Sequence, residues 1–259
     1  MRLKLILQTL PNSVLSYNHQ YSLMAVIYKI IERADPVFSH WLHERGYDGH
    51  GNKKFKLFSF GLLTGKPYSR DDPNKRLIFP TGQVEWEVSF CVDKQIEKFV
   101  EGLFKNQLLE IVADGTKVLF QVQGVEIVKP PIFSETMRFS VKTGICLTEK
   151  TETDRYPQFR SPDDAAFKDL FFNNLAAKVQ SAFPDEAVAT PPYLDLKILS
   201  EPRKWSVIVP QEDSNKPIRT IGYKFDFEVT APAQWLEVGY FSGFGKNSSM
   251  GFGFSEVLK

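Results

Sequence analysis

The side chains best suited to proton transfer in this chain lie close together in its first fifty residues. Three of the four histidines fall within eleven residues, and two of them, His40 and His43, are three residues apart. Asp35-Pro36 is typical of a helix start and Gly46 of a helix end, so the spacing predicts a short helix with both histidines on one side. His43 would lie in the last turn, where the helix dipole favours a protonated ring. This position suits a general acid, although a histidine on a helix more often has only a surface role.

The same segment contains several potential metal ligands. His40, His43, Asp48 and His50 form a dense group of nitrogen and oxygen donors. The sequence has neither an HExxH nor a CxxC pair, and one loop would have to supply most of the ligands. We therefore expect neither a catalytic metal ion nor a cofactor.

A basic segment follows the histidines. Lys53, Lys54 and Lys56 are interleaved with Phe55 and Phe58. Lysines bind phosphates and aromatic rings stack on bases, and these are two main sources of affinity for single-stranded nucleic acid. The alternative is an ordinary strand end whose long lysine side chains reach into solvent.

A glycine-rich segment near the C-terminus is a second place where a phosphate could bind. Five glycines occur between Gly239 and Gly253, and residues 246–249 supply one lysine and three small polar side chains. Glycine allows positive φ and close approach of the backbone to a ligand. A Walker A loop would need glycine at Tyr240, and a dinucleotide-binding fingerprint would need it at Ser248. The alternative is a glycine-rich turn between a helix and a strand.

The elements that must position these residues occur in the same order in both halves of the chain. Hydrophobic periodicity predicts, in the first half, strands over 3–10, 55–63, 84–91, 108–112 and 117–127, and helices over 18–33 and from Asp93. In the second half it predicts strands over 132–147, 193–199, 218–230 and 251–258, a hairpin arm at 205–209, and helices from Ser161-Pro162 and over 233–241. Tyr28 lies at the edge of the apolar stripe of the first helix.

Pro130 and Pro131 interrupt this pattern between the halves. We therefore expect an α+β protein with two tandem ferredoxin-like (RRM-like) domains, each β-α-β-β-α-β, over residues 1–128 and 132–259.

Composition limits the class of protein and of partner. The chain has 259 residues, of which 42% are apolar, enough for one large core or two ordinary ones. No run of eighteen apolar residues occurs, and the two cysteines, Cys91 and Cys146, lie in strand-like surroundings. These features predict a cytoplasmic protein with free thiols and no membrane partner. The net charge is +1, so a nucleic acid would have to be attracted by local basic patches.

Short motifs at both ends of the chain point to one family. The N-terminal motifs are Tyr17-Asn18-His19-Gln20-Tyr21, Val26-Ile27-Tyr28, Asp35-Pro36, Leu42-His43-Glu44 and Phe55-Lys56-Leu57-Phe58, and the C-terminal motif spans residues 239–253. Together they resemble the CRISPR-associated endoribonucleases that process precursor transcripts, the Cas family numbered six. The C-terminal motif resembles the glycine-rich loop of that family and of the wider repeat-associated mysterious protein (RAMP) superfamily.

The resemblance implies a metal-independent endoribonuclease that cuts the repeat segments of a CRISPR transcript into guide RNAs. Attack of the ribose 2′-hydroxyl on the adjacent phosphorus would leave a 2′,3′-cyclic phosphate and a 5′-hydroxyl. The family's Tyr, His and Lys set falls on Tyr28, His43 and Lys56. The expected roles are proton transfer by His43, stabilisation of the charged transition state by Lys56, and positioning or assistance by Tyr28. The long connection before Lys56 leaves Lys53 and Lys54 open as alternatives to it, and His40 is an alternative to His43.

The remaining expectations concern RNA contacts and partners. The residues expected to contact the repeat RNA are Lys53, Lys54, Gly243, Gly245, Lys246, Asn247, Ser248, Ser249 and Gly251. The sequence leaves open a CRISPR effector complex and a homodimer as further partners. The alternatives in function are a non-cleaving RNA-binding subunit of an effector complex and a metal-dependent hydrolase.

Overall fold

Each half of the chain forms an antiparallel sheet covered by helices. The computed structural model describes residues 1–49, 53–65, 69–186, 191, 193–211 and 214–258. In these residues the helices are α1 (Gln20–Ala34), α2 (Pro36–Glu44), α3 (Asp93–Lys105), α4 (Phe167–Ala182) and α5 (Ala233–Ser242). The strands of the first half are β1 (Arg2–Gln8), β2 (Ser13–Ser16), β3 (Tyr47–Gly49), β4 (Lys53–Phe55), β5 (Phe58–Phe60), β6 (Thr64–Gly65), β7 (Ser69–Asp71), β8 (Arg76–Phe79), β9 (Gln83–Phe90), β10 (Leu108–Ala113) and β11 (Thr116–Val128). Those of the second half are β12 (Thr136–Val141), β13 (Thr148–Glu149), β14 (Gln158–Phe159), β15 (Asp195–Ile198), β16 (Arg203–Gln211), β17 (Ser214–Lys224), β18 (Asp226–Thr230) and β19 (Ser255–Val257).

The two sheets share one topology. The first runs β10-β11-β1-β9-β5, with β6 also paired to β9, and the second runs β15-β18-β12-β19. The four core strands, in chain order, are β1, β5, β9 and β11 in the first half and β12, β15, β18 and β19 in the second. With this numbering both sheets have the order fourth, first, third, second, and all pairings between core strands are antiparallel. A helix follows the first core strand and another follows the third. The predicted tandem ferredoxin-like fold is therefore confirmed.

The helices bury apolar stripes against the sheets. In the first half Leu23, Ile27 and Ile30 of α1 and Phe99 of α3 are fully buried in one core with Trp86 of β9. Each such side chain contributes about 1.5–3 kcal/mol when it leaves water. A second core forms around α4, α5 and the second sheet. In the part of the chain that the structure describes, no helix combines the length and the apolar content needed to cross a bilayer.

Arg2 joins the two halves. Its side chain is 1% exposed and its guanidinium donates hydrogen bonds to the carbonyl oxygens of Tyr240 at 3.1 Å and Ser255 at 3.0 Å. The same group lies 3.9 Å from the ring centroids of both Tyr240 and Phe254. The first strand of one half is thereby fixed to the last helix and strand of the other.

The segment predicted as one strand over 55–63 is two strands. β4 ends at Phe55 and β5 begins at Phe58 because the buried Leu57 adopts a positive φ of 52°. β4 pairs with β3, whereas β5 joins the main sheet beside β9. Lys56 therefore lies at the bend between two sheets and not inside a strand.

Several other predicted boundaries were wrong. Helix α4 begins at Phe167, because residues 161–167 form turns in which the Asp164 N–H donates to the Ser161 carbonyl at 2.9 Å and the Phe167 N–H to the Asp164 carbonyl at 2.9 Å. The run over 132–147 contains only β12, since Lys142 and Thr143 both donate to the Phe254 carbonyl. The predicted strand over 218–230 divides into β17 and β18, and the last strand is the short β19.

Candidate active site

Tyr28 on α1 and His43 on α2 are in direct contact. Their ring centroids are 4.9 Å apart and the rings meet edge to face at 84°. Asp35 joins the two helices, and its carboxylate accepts a hydrogen bond from the Phe38 N–H at 2.9 Å, as a helix N-cap does. The Ser39 hydroxyl donates to the Tyr28 carbonyl oxygen at 3.0 Å and fastens α2 to α1. The predicted Asp-Pro helix start is thus confirmed, and it is what brings His43 to Tyr28.

His43 is oriented by its neighbour in the chain. Its Nδ1 lies 2.8 Å from Oε1 of Glu44, and both side chains are exposed. A hydrogen bond to a carboxylate requires a proton on Nδ1, so Nε2 is the nitrogen that can exchange a proton with a substrate. This hydrogen bond also holds the pKa of Glu44 below its usual value.

Lys56 lies against the end of α2. Its Nζ donates to the His43 carbonyl oxygen at 2.5 Å, one of the carbonyls that the last turn of a helix leaves without a partner. Burial lowers the pKa of the Lys56 ammonium, and the negative charge of Glu44 opposes this shift. A positive charge is therefore placed at the backbone of His43, where α2 ends.

The other candidates for these two roles are exposed. Lys53 and Lys54 are exposed on β4, and Lys54 forms an ion pair with Asp48. His40 is exposed on α2, and His50 lies outside the described residues. Among the residues that the structure describes, no three His, Cys, Asp or Glu side chains come together as metal ligands could.

Tyr28 is half-buried, with its ring 5.6 Å from that of Phe58. Burial raises the pKa of Tyr28 above its ordinary value, and an interaction with the Ser249 side chain opposes the shift. The phenol therefore keeps its proton at neutral pH and can donate a hydrogen bond, but it is a poor base.

The partner of Tyr28 belongs to the segment after α5, residues 243–253, which we call the glycine loop. The loop closes on itself through a hydrogen bond from the Phe244 N–H to the Gly253 carbonyl at 3.0 Å. The backbones cross so closely at this point that a Cβ on Gly253 would lie 1.9 Å from the Phe244 carbonyl oxygen. The Lys246 N–H donates to the Cys146 carbonyl at 2.7 Å and fixes the loop to the second half.

A cleft of about 380 Å³ opens between the basic segment and the glycine loop. It is lined by Lys53, Lys54, Phe55, Lys56, Asn174, Lys178, Gly245, Lys246, Asn247, Ser248 and Ser249. The structure thus brings two segments that are nearly two hundred residues apart in sequence to one surface. Gly243 and Gly251 do not line the cleft: Gly243 packs against Ser248 and Ser59, and Gly251 against the ring of Phe60. These two glycines support the loop from behind.

Sequence reasoning missed Asn174 and Lys178, which lie one turn apart on α4. Both are buried, at 4% and 1% exposure. The sequence does contain a signal, because the two polar residues are four apart within a helix whose neighbouring positions are largely apolar. A lysine in such a position requires hydrogen-bond partners from another element, and these cannot be read from the helix itself.

Proteins of a single family match this chain over nearly its whole length. Residues 14–125 match the family described as CRISPR-associated protein Cas6, N-terminal, and residues 128–257 match CRISPR associated protein Cas6, C-terminal. A Methanocaldococcus jannaschii protein named CRISPR-associated endoribonuclease Cas6 1 is 28% identical over 258 residues, which cover 98% of this chain and 91% of that protein. A Pyrococcus furiosus protein named CRISPR-associated endoribonuclease Cas6 is 25% identical over 245 residues, which cover 93% and 83%.

A solved structure described as CRISPR associated protein Cas6 superposes with a TM-score of 0.79 at 25% identity, covering 100% of this chain and 99% of that one. The C-terminal family match alone spans half of the chain, and the N-terminal match covers most of the rest. The chain therefore belongs to the Cas6 family of CRISPR-associated proteins.

Proposed function

We propose that this protein is an endoribonuclease that cleaves CRISPR repeat RNA in precursor transcripts and releases guide RNAs. Membership of the Cas6 family and two relatives named as endoribonucleases support this activity. The observation that carries the proposal is the contact of Tyr28, His43 and Lys56 beside a lysine-lined cleft. A phosphodiester could be held there against a proton-transfer group and a cation.

The reaction is an internal transesterification of RNA. The 2′-oxygen forms a bond to the adjacent phosphorus while the bond from phosphorus to the 5′-oxygen breaks, which leaves a 2′,3′-cyclic phosphate and a 5′-hydroxyl. In net terms one proton leaves the 2′-oxygen and one reaches the 5′-oxygen. The site must therefore transfer a proton and stabilise additional negative charge on the phosphate oxygens. Side chains can do both without a metal ion.

The environments of the three side chains suit different parts of this reaction. His43 transfers the proton through Nε2, since Nδ1 is engaged with Glu44. Lys56 stabilises the developing charge as a compact cation at the end of α2. Tyr28 positions the phosphate or ribose through its hydroxyl, because its raised pKa makes it a poor base.

The cleft binds the RNA backbone beside these residues. Lys53, Lys54, Lys56 and Lys246 line it, and no acidic side chain does so among the described residues. Phe55 offers a ring on which a base could stack. Local charge of this kind compensates for the near-neutral charge of the whole protein.

The proposal is tested by incubating the purified protein with its own repeat RNA in excess EDTA. We expect one cleavage site, the same rate with and without EDTA, and a 2′,3′-cyclic phosphate on the upstream product. Cleavage that stops in EDTA and returns with a divalent ion would favour a metal-dependent hydrolase. Tight binding of uncut repeat RNA would favour the alternative of a non-cleaving subunit of an effector complex.

A further inference from the structure

Lys178 of α4 has a buried amine that the proposed reaction does not use directly. It is 1% exposed and is one of the largest fully buried side chains among the described residues. Burial lowers the pKa of Lys178 to about 7. Lysine is rarely buried unless its amine has partners, because the loss of hydration is costly. The partners of this amine therefore show what the lysine does.

All three hydrogen-bond partners of Lys178 lie at or within the glycine loop. Nζ donates to the carbonyl oxygens of Gly243 at 2.5 Å and Ser242 at 3.3 Å, and to the Ser248 hydroxyl at 3.3 Å. Ser242 is the last residue of α5 and Gly243 its C-cap, so these carbonyls belong to a helix end that needs outside donors. A single amine thus links the start of the loop to its middle.

The loop continues from this fixed point directly to the catalytic tyrosine. Ser249 follows Ser248, and its side chain interacts with the hydroxyl of Tyr28. The ring of Tyr28 in turn contacts that of His43. The contacts therefore form a continuous path from Lys178 through the loop to the two rings. A shift of the loop would move Ser249 away from the Tyr28 hydroxyl.

Lys178 also stabilises the end of α5, because loss of its amine would deprive three buried acceptors of a donor. Asn174, one turn earlier and 4% exposed, is a second polar side chain on α4, and its Oδ1 has no hydrogen-bond partner among the described residues. Both side chains line the same cleft as Lys56 and Ser249. The polar groups on this face of α4 lie where the RNA is expected to bind.

We propose that Lys178 is a positioning residue, which holds the glycine loop so that Ser249 orients Tyr28 for cleavage. The inference rests on the proposed endoribonuclease function. It predicts that the loss of Lys178 slows the cleavage step more than it weakens RNA binding.

The test compares Lys178→Met, which keeps much of the side-chain volume, with Lys168→Met on the same helix. Lys168 is exposed and paired with Asp195 at 2.7 Å, so it controls for the loss of a lysine from α4. Single-turnover cleavage is measured at saturating protein, and affinity is measured with repeat RNA carrying 2′-deoxyribose at the scissile nucleotide. We expect Lys178→Met to slow cleavage about tenfold or more, with a much smaller change in Kd, because misplacement of a catalytic group lowers the rate of the chemical step. Lys168→Met should behave as wild type.

A double-mutant cycle with Ser249→Ala separates positioning from a general loss of structure. If Lys178 acts through Ser249, the double variant should cleave no more slowly than the slower single variant, whereas independent effects would multiply. If Lys178→Met does not fold, Ser248→Ala takes its place in the double-mutant cycle with Ser249→Ala, because it removes one hydrogen-bond partner of the Lys178 amine. Hydrogen exchange of the amides in residues 243–253 should be faster in Lys178→Met and unchanged in Lys168→Met.

Three results with a folded Lys178→Met protein would overturn the inference. They are cleavage at the wild-type rate, a defect that lies wholly in Kd, and a defect in rate that multiplies with that of Ser249→Ala. Multiplying defects in the Ser248→Ala cycle would do the same. If instead the wild-type protein fails to cut repeat RNA, the proposed function fails, and the two failures are thereby distinguished.

Discussion

At the scale of single residues, the candidate site separates a group that keeps its proton from one that can exchange it. Tyr28 is half-buried and its pKa is raised by burial, so its hydroxyl remains a donor. His43 is exposed at the end of α2, with one ring nitrogen engaged by Glu44 and the other available. We therefore propose that His43 transfers the proton and that Tyr28 orients the substrate.

Replacement of His43 by alanine is expected to reduce single-turnover cleavage by about 10² to 10⁴, the usual contribution of general acid–base catalysis. Binding of uncleavable repeat RNA should change little, because the imidazole acts chiefly in the transition state. His40→Ala is the matched control, since His40 is exposed on the same helix. Equal rates for His43→Ala and wild type would remove His43 from the mechanism.

Lys56→Ala should also lower the rate at saturating protein, by roughly 10² or more, as does the loss of a group that stabilises developing negative charge. The comparison is Lys54→Ala, whose side chain is exposed and paired with Asp48 and should act mainly on affinity. Rate constants and Kd measured for both variants check the difference. A larger loss of rate in Lys54→Ala would transfer the catalytic role to Lys54.

At the scale of elements, two connections place the site: the tight α1–α2 junction at Asp35 and the glycine loop after α5. The first could be predicted from sequence because Asp35-Pro36 forms its cap within four residues. The bend at Leu57 could not, since its positive φ accompanies complete burial between two sheets. The start of α4 was missed because Ser161 and Asp164 do form the bond that the capping pattern predicts, yet the chain makes turns between residues three apart before the helix begins at Phe167.

Gly253→Ala tests whether the loop depends on the close backbone contact described above. A Cβ at this position would lie 1.9 Å from the Phe244 carbonyl oxygen and would force the loop open. Gly115→Ala is the control, because Gly115 has a similar φ of +76° but nothing within 4 Å of an added Cβ. Urea denaturation should show a loss of about 1–2 kcal/mol in Gly115→Ala, from backbone strain alone, and a distinctly larger loss in Gly253→Ala. Equal losses would mean that the contact at Phe244 relaxes at little cost.

At the scale of the whole molecule, RNA affinity must come from local charge, because the net charge is only +1. We propose that the cleft supplies it, since the cleft joins the basic segment of one half to the glycine loop of the other. The fold and the family could be predicted from the order of elements and from motifs at both ends of the chain. Asn174 and Lys178 were missed, since the partners of Lys178 lie at least 64 residues away and become visible only when α4 packs against the end of α5 and the glycine loop.

The salt dependence of RNA binding measures the contribution of this local charge. Each lysine that neutralises a phosphate on single-stranded RNA contributes about 0.7 to the slope of log Kd against log salt. Lys53→Ala and Lys54→Ala should each reduce that slope by about this amount. Lys117→Ala should leave it unchanged, because Lys117, which like Lys54 is exposed and ion-paired, lies on the β10–β11 hairpin and does not line the cleft. Unchanged slopes in the first two variants would place the RNA elsewhere.

The central claim is that the RNA is cut by its own 2′-hydroxyl at the site of Tyr28, His43 and Lys56. It is tested most directly with a repeat RNA in which only the nucleotide 5′ to the scissile phosphate carries 2′-deoxyribose. We expect this RNA to bind with the affinity of the unmodified repeat and to remain intact, while the unmodified repeat yields a 2′,3′-cyclic phosphate and a 5′-hydroxyl. Cleavage of the deoxy-substituted RNA at the same position would contradict the mechanism.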